Sequence, residues 1–316
     1  MNISVIVPVY NSENSLSELY ERLKDVMESI ADDYEIIMVN DGSHDASWDV
    51  ITRLTTQSQT LRGINLMRNF GQHNALLSGI NVARYEIIVT IDDDLQNPPE
   101  EIPRLIDKLN EGYDVVYGTP EQEMHGLWRD LASRVTKILL KKSMGVETAR
   151  DISAFRVFRS NISRAFSHYR GPFVALDVLL SWGTTRFTSI PVSHEKRKMG
   201  ASNYTLVQLI THTFNMVTGF SALPLRIASI LGFVFAIFGF GVMGYVLIRY
   251  LWQGSSVPGF PFLASLVSIF AGVQLFSLGM IGEYLLRMHF RLMDRPYSVM
   301  REKVGFGDGK EERRNE

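Results

Sequence analysis

The sequence predicts an α/β domain built on a parallel sheet, followed by two transmembrane helices. Three observations carry this. Short apolar runs alternate with helical patterns through the first hundred or so residues; a carboxylate triplet, Asp92-Asp93-Asp94, closes the apolar run Glu86 to Ile91; and two long charge-free runs follow residue 220. Alternating β and α segments imply a parallel sheet with helices on both faces, and ligands bind where such strands end. Three carboxylates at the tip of a buried strand repel one another and lose hydration, so they require a cation or a polyvalent ligand. The triplet is read as holding a divalent metal and, through it, a nucleotide diphosphate.

The elements are expected in this order. Ile3 to Tyr10 forms the first strand, and a helix runs from Ser15 to about Ile30, with Ser15 and Glu18 placed for a capping box. Tyr34 to Val39 is a strand ending in Asn40-Asp41-Gly42-Ser43, and a helix starts near Asp45. Leu61 to Leu66, a polar turn from Arg68 to His73, and a helix from Asn74 to Ala83 lead to the fourth strand and the acidic triplet. Pro98-Pro99-Glu100-Glu101 opens a helix to about Asn110, and Asp114 to Gly118 is a fifth strand. His125 to Met144 reads as a basic amphipathic helix suited to a bilayer surface. Ala154 to Phe158 and Phe187 to Val192 are further strands, and Asn203 to Phe220 is a helix leading into the first span.

Ile227 to Ile248 runs 22 residues without a charge, and Gly259 to Gly282 runs 24 with Gln274 its one amide. At 1.5 Å per residue each reaches roughly 33 to 36 Å, enough for the hydrocarbon core of a bilayer. Arg249 to Pro258 would be the hairpin loop, flanked by Tyr250 and Trp252 as interfacial aromatics. Arg226 precedes the first span, and Arg287, Arg291, Arg295, Arg301 and Lys303 follow the second, which puts both termini in the cytoplasm of a multi-pass inner (plasma) membrane protein. No signal peptide is expected before the first strand. The division is residues 1–202 as a cytoplasmic α/β domain, 203–225 as a juxtamembrane amphipathic helix, 226–286 as the hairpin and 287–316 as a cytoplasmic tail, disordered from Gly305 onward.

Composition excludes several chemistries. A formal net charge of −2 argues against a nucleic-acid partner, and the absence of Cys removes disulfides, thiolate metal sites and Cys nucleophiles. No P-loop string and no G-x-G-x-x-G follows a strand, so the nucleotide is held through a metal rather than by a glycine loop. Asp41 ends one strand and Asp92 another, so both point to one sheet edge. Their hard oxygen ligands favour Mg²⁺ or Mn²⁺, with Gln96 able to add an amide oxygen.

Pro8-Val9-Tyr10-Asn11, Asn40-Asp41-Gly42-Ser43, Arg68 to His73, and above all Asp92-Asp93-Asp94-Leu95-Gln96-Asn97-Pro98-Pro99-Glu100 resemble the family 2 glycosyltransferases with a GT-A (Rossmann-like) fold. Within them the chain is similar to the polyprenyl-phosphate glycosyltransferases, the group that contains dolichol-phosphate mannose synthase, the bactoprenol glucosyltransferases and the undecaprenyl-phosphate formamido-arabinose transferase. The resemblance implies an inverting transfer of a sugar from a nucleotide sugar, by analogy a UDP-sugar, to a polyprenyl (undecaprenyl) phosphate at the cytoplasmic leaflet. It implies Pro8, Tyr10, Val39 and Asp41 around base and ribose, Asp92 and Asp93 beside the nucleotide, and Asp94 with Gln96 on the metal. Glu directly after the Tyr-Asn pair is usual in relatives, whereas this chain has Ser12 and then Glu13.

Relatives place basic residues after the fifth strand to hold the acceptor phosphate. Here the turn is Thr119-Pro120-Glu121, and Arg129 or Arg134, near Ser133, is expected to take that role instead. Arg197-Lys198-Met199-Gly200-Ala201-Ser202-Asn203-Tyr204 resembles the Arg-x-x-Gly-x-Ser-Lys-Tyr loop of the group, assigning Arg197 and Ser202 to phosphate. Asp151, ahead of Phe155-Arg156, is a candidate for orienting the acceptor or acting as base. Membrane lipid is a further expected partner, and because relatives can assemble through their membrane helices a homo-oligomer is left open. The alternatives are a processive polysaccharide synthase, whose Gln-x-x-Arg-Trp string is not found here, and a non-catalytic membrane scaffold that keeps a nucleotide-sugar pocket.

Overall fold

The computed structural model describes residues 1–120, 152–169, 174–195, 223–253, 259–293 and 296–306. The chain forms two compact units, one made of Met1–Tyr204 with Arg295–Glu316 and the other of Thr205–Asp294.

The first unit is organised on a sheet of eight strands: β1 (Asn2–Val9), β2 (Asp33–Asn40), β3 (Leu61–Leu66), β4 (Ile87–Thr90), β5 (Val115–Pro120), β6 (Arg156–Arg159), β7 (Phe187–Val192) and β8 (Met300–Val304). Their spatial order is β7-β5-β6-β4-β1-β2-β3-β8. The neighbours β4, β1, β2 and β3 are all parallel, in the register Ile6 to Thr90 and Pro8 to Val39. β1 is central, and Val5, Ile6 and Val7 are fully buried, the continuous apolar reading of a strand covered on both faces. The helices α1 (Leu16–Ile30), α2 (Ser47–Gln57), α3 (Gln72–Ile80), α4 (Ile102–Asn110) and α5 (Leu176–Gly183) are the described α-helices of this unit. α1 buries Leu16, Leu19, Tyr20, Leu23, Val26 and Met27, and α4 buries Ile102, Leu105, Ile106 and Leu109, each a single stripe at helical spacing.

Several expectations are corrected. The sheet is mixed, because β6 runs antiparallel to both β4 and β5, and β8 antiparallel to β3. The stretch expected as part of a tail contains β8, which closes the edge of β3. Met67 N–H donates to the Val299 carbonyl at 2.9 Å, Asn81 donates to the Tyr297 hydroxyl at 2.6 Å, and Arg301 donates to the Met67 carbonyl at 3.2 Å. Ser15 does not form the expected capping box. Its hydroxyl turns away from its own helix, 2.6 Å from the Asp93 carbonyl oxygen, because that carbonyl lies in the neighbouring strand-end turn.

The second unit contains α6 (Leu223–Gln253) and α7 (Phe260–Leu292). Windows of 29 and 22 residues within them have mean hydropathies of 2.3 and 1.5, long and apolar enough to cross a membrane. Phe233, Phe240, Leu251 and Trp252 are exposed, so the helices are apolar beyond the face they share. That face includes Gly239 beneath Phe270, where a Cβ would lie 2.9 Å from the ring. The expected loop from Arg249 starts later, since α6 continues through Arg249, Tyr250 and Trp252. The expected helices at 125–144 and 203–220 lie outside the described residues.

Candidate active site

The parallel register sets the site. β1 lies between β2 and β4, so Asp41 and the Asp92 to Asp94 turn flank the end of β1 at one sheet edge. Pro8 and Val39 are register partners at that edge, and Tyr10, 44% exposed, follows them with its ring edge-on to His44.

Asp41 is buried at the end of β2. Its two oxygens accept the backbone N–H groups of Phe70 and Gly71 at 2.7 and 2.8 Å. Burial raises its pKa, and those two N–H groups act against the rise. The turn after β3 reaches Asp41 because Gly42 has φ +67° and no side chain. A Cβ there would stand 2.5 Å from the backbone of Arg68 and Asn69. Gly42→Ala is therefore expected to cost about 1 to 3 kcal/mol through left-handed strain alone, with further loss from the clash. Denaturant unfolding measures it, and an unchanged midpoint would contradict the packing described.

The acidic turn is fixed from several sides. Asp93 Oδ2 accepts the Tyr10 N–H at 3.0 Å and the Ser12 hydroxyl at 2.5 Å. Asp94 Oδ1 accepts the Gln96 N–H at 3.1 Å. Leu95 takes φ +60°, a left-handed backbone that disfavours a branched residue, while its side chain is buried in the core. Asp92 Oδ1 accepts Gln72 Nε2 at 2.6 Å. Burial first, then repulsion from Asp94 and Asp93, pushes the Asp92 pKa to about 7, opposed by Arg156 and Gln72. Burial also raises Asp93. Arg156 itself is buried in an ion pair with Asp177, whose carboxylate also accepts the Tyr117 hydroxyl at 3.0 Å.

The sign of the Asp92 shift yields a pH test. A carboxyl whose folded pKa lies above its unfolded value of 3.8 binds its proton more tightly when folded, so its contribution to stability falls as pH rises from about 4 to about 7. The metal-free melting temperature of Asp92→Asn is expected to decline less between pH 5 and pH 8 than that of the parent. Parallel melting curves across that window would contradict the assignment.

The resemblance assigned Pro8, Tyr10, Val39, Asp41, Asp92, Asp93, Asp94 and Gln96 to the nucleotide and metal, and in the structure these residues lie at or just beyond the ends of β1, β2 and β4. Asp151, Arg129, Ser133, Arg134, Arg197 and Ser202 lie outside the described residues. Glu13 is engaged by the Ala46 N–H at 2.8 Å, which ties the loops after β1 and β2 together. Gln72, Ser12, Ser15 and Arg156 were not singled out as site residues. Ser12, Ser15 and Gln72 bond the turn across 20 to 81 residues, while Arg156 acts on Asp92 through its charge.

Among the described residues no group of three His, Asp or Glu side chains gathers to hold an ion. The donor set nevertheless fits a hard cation. Burial and mutual repulsion disfavour ionised carboxylates at Asp92 and Asp93, and a divalent ion relieves both.

A mixed sheet whose central strands β4, β1, β2 and β3 are parallel, with carboxylates at adjoining strand ends, defines an α/β protein with an acidic edge. The chain belongs to glycosyl transferase family 2, whose model matches residues 4–167. It is 35% identical over 298 residues to an undecaprenyl-phosphate 4-deoxy-4-formamido-L-arabinose transferase of Edwardsiella ictaluri, covering 93% of this chain and 91% of that protein. Two structures of glucosyl-3-phosphoglycerate synthase from Mycobacterium tuberculosis share the fold. One, with phosphoglyceric acid, has 17% identity and a TM-score of 0.51 over 69% of this chain and 78% of that one. The other, with Mn²⁺, UDP and glucosyl-3-phosphoglycerate, has 18% identity and a TM-score of 0.50 over 69% and 77%.

Proposed function

We propose that the chain transfers a sugar, with inversion, from a nucleotide sugar to a polyprenyl phosphate at the cytoplasmic face of a membrane. The observation that carries the transferase reading is the meeting of Asp41 and the Asp92 to Asp94 turn on either side of β1. The acceptor reading is supported by the transferase from Edwardsiella ictaluri, whose match is long enough to take in both apolar helices. That likeness also favours a single-sugar transferase over a processive synthase or a scaffold. The chain leaves the sheet unit before α6 and rejoins it through β8. Two crossings satisfy that connectivity with both ends on one side, and the flanking cations favour the cytoplasm.

Asp94, with Gln96 and the donor phosphates, would hold Mg²⁺ or Mn²⁺, which would neutralise charge on the leaving nucleotide diphosphate. Pro8, Tyr10, Val39 and Asp41 would surround the base and ribose, and Asp92 and Asp93 would adjoin the nucleotide. Ser12 holds the Asp93 carboxylate, Gln72 that of Asp92, and Ser15 the Asp93 backbone carbonyl. The acceptor needs little help from a base. With a second pKa near 6 a lipid phosphate is largely ionised at neutral pH, so its oxygen attacks the anomeric carbon as the bond to the nucleotide breaks. The chain's work is then positioning and charge neutralisation. Arg129, Ser133, Arg134, Arg197 and Ser202 would hold the acceptor or diphosphate, and Asp151 would orient the acceptor.

Membranes carrying the chain, given undecaprenyl phosphate, Mg²⁺ or Mn²⁺ and a panel of labelled UDP- and GDP-sugars, should label the lipid from one donor, expected to be a UDP-sugar. Nucleotide binding without any labelled lipid would support the scaffold instead.

A further inference from the structure

A segment far along the chain lies against the acidic turn. Beyond β7, the Glu195 N–H donates to the Gln96 carbonyl at 2.8 Å, and the Ser193 hydroxyl donates to Glu101 Oε1 at 2.8 Å. Residues 193–195 therefore run beside residues 96–101. The Glu195 carboxylate is held by Arg22 Nη2 at 3.2 Å, and Arg22 also grips Glu100 with two bonds, Nε at 2.9 Å and Nη2 at 2.7 Å. Arg22 belongs to α1, the helix whose N-cap residue, Ser15, already holds the Asp93 carbonyl. One guanidinium thus joins α1, the Pro99–Glu101 turn and the segment that follows the edge strand β7.

Two features say what this arrangement acts on. Leu95 keeps a left-handed backbone between Asp94 and Gln96, a conformation that persists only where its surroundings over-determine it. The Gln96 N–H is taken by Asp94, and the Gln96 carbonyl by Glu195, so both polar groups of that peptide unit's residue are fixed in direction. The ion pairs are at the surface, with side-chain exposures of 22% for Arg22, 53% for Glu100 and 41% for Glu195. Pairs so exposed contribute little to global stability. Their geometric effect is larger, since a planar two-bond grip fixes direction as well as distance.

We propose that Arg22 and Glu195 are positioning residues for the Asp92 to Gln96 turn. Arg22 holds the Glu195 side chain, the Glu195 N–H holds the Gln96 carbonyl, and the turn is kept in the shape that presents Asp94 and Gln96 to a metal-bound nucleotide diphosphate. This rests on the reading of the turn as the donor-phosphate site. Removing the guanidinium leaves two carboxylates, Glu100 and Glu195, facing each other, which would drive residue 195 away from Gln96.

The test uses the full-length chain in detergent and UDP as the probe, titrated calorimetrically with and without Mn²⁺. Arg22→Ala is expected to weaken Mn²⁺-dependent UDP binding about tenfold while leaving metal-free UDP binding and the melting temperature close to those of the parent. Arg22→Lys, which keeps charge but not the fork, should restore part of the loss. Glu195→Ala should weaken binding as Arg22→Ala does, and the double variant should be no weaker than either single one. Equal Mn²⁺-dependent affinity in Arg22→Ala and the parent would overturn the proposal, as would losses that simply multiply in the double variant. A parent that binds UDP identically with and without Mn²⁺ would instead overturn the donor-site reading beneath it.

Discussion

Replacing Asp94 by asparagine is expected to lower sugar transfer by about three orders of magnitude, the upper part of the range seen when one charge-stabilising group is removed from an active site. The substitution keeps the size of the side chain and an oxygen able to accept the Gln96 N–H, which Asp94 Oδ1 accepts at 3.1 Å. The turn should therefore hold its shape, and what is lost is the negative charge that the proposed function directs at the metal. The accompanying expectation is a loss of metal dependence in nucleotide diphosphate binding, read by calorimetry with and without Mn²⁺. Melting temperature should stay level or rise, because the change removes one carboxylate that repels Asp92. Full activity in Asp94→Asn would mean that the metal is held elsewhere, or that the donor diphosphate leaves without one.

The second large effect is on stability, at the opposite end of β2. Glu35 is fully buried near the start of that strand, where it accepts the Ser4 hydroxyl at 2.7 Å, the Arg84 N–H at 2.7 Å and Arg62 Nη1 at 2.9 Å. Arg84 Nε adds a contact at 3.2 Å. One carboxylate thus joins β1, β2, β3 and the segment before β4. Removing a single partner from a buried ion pair costs about 3 to 5 kcal/mol, because the other charge stays behind in a poorly solvated place. Glu35→Ala leaves Arg62, only 10% exposed in its side chain, against an apolar hole. The expected fall in melting temperature is roughly 10 °C, at about 2 to 4 °C per kcal/mol for a unit of this size. Because Glu35 lies away from the carboxylate edge, UDP affinity of the folded fraction should be unchanged. A small shift in melting temperature would show that the two arginines find other partners.

The central half of the sheet was legible because its rules are local. Ile3 to Val9, Tyr34 to Val39 and Ile87 to Thr90 are apolar runs closed by polar residues, and helical patterns lie between them, so alternation alone places Asp41 and Asp92 at one edge. β8 was not legible. Its Arg301, Glu302 and Lys303 suit the charged exposed edge of a sheet, and its partner β3 is more than two hundred residues away. The reversal of β6 was equally hidden, since strand direction depends on the path of the chain and not on the composition of Arg156–Arg159. At the site, the residue types that carry charge were visible. Those that hold them in place were not, because Ser12, Ser15 and Gln72 reach the acidic turn across 20 to 81 residues. The left-handed Leu95 had no signal either, since glycine or asparagine would ordinarily mark such a position.

The most direct measurement is the structure of the lipid product. Undecaprenyl phosphate carrying ¹⁸O in its phosphate, incubated with the chain, Mn²⁺ and the donor identified by the panel, should yield a sugar joined through a labelled phosphate oxygen. Its anomeric configuration, read by NMR, should be opposite to that of the donor. That result is expected if the ionised lipid phosphate attacks the anomeric carbon directly at the Asp92 to Asp94 edge. A product of retained configuration, or release of free sugar with no lipid linkage, would contradict it.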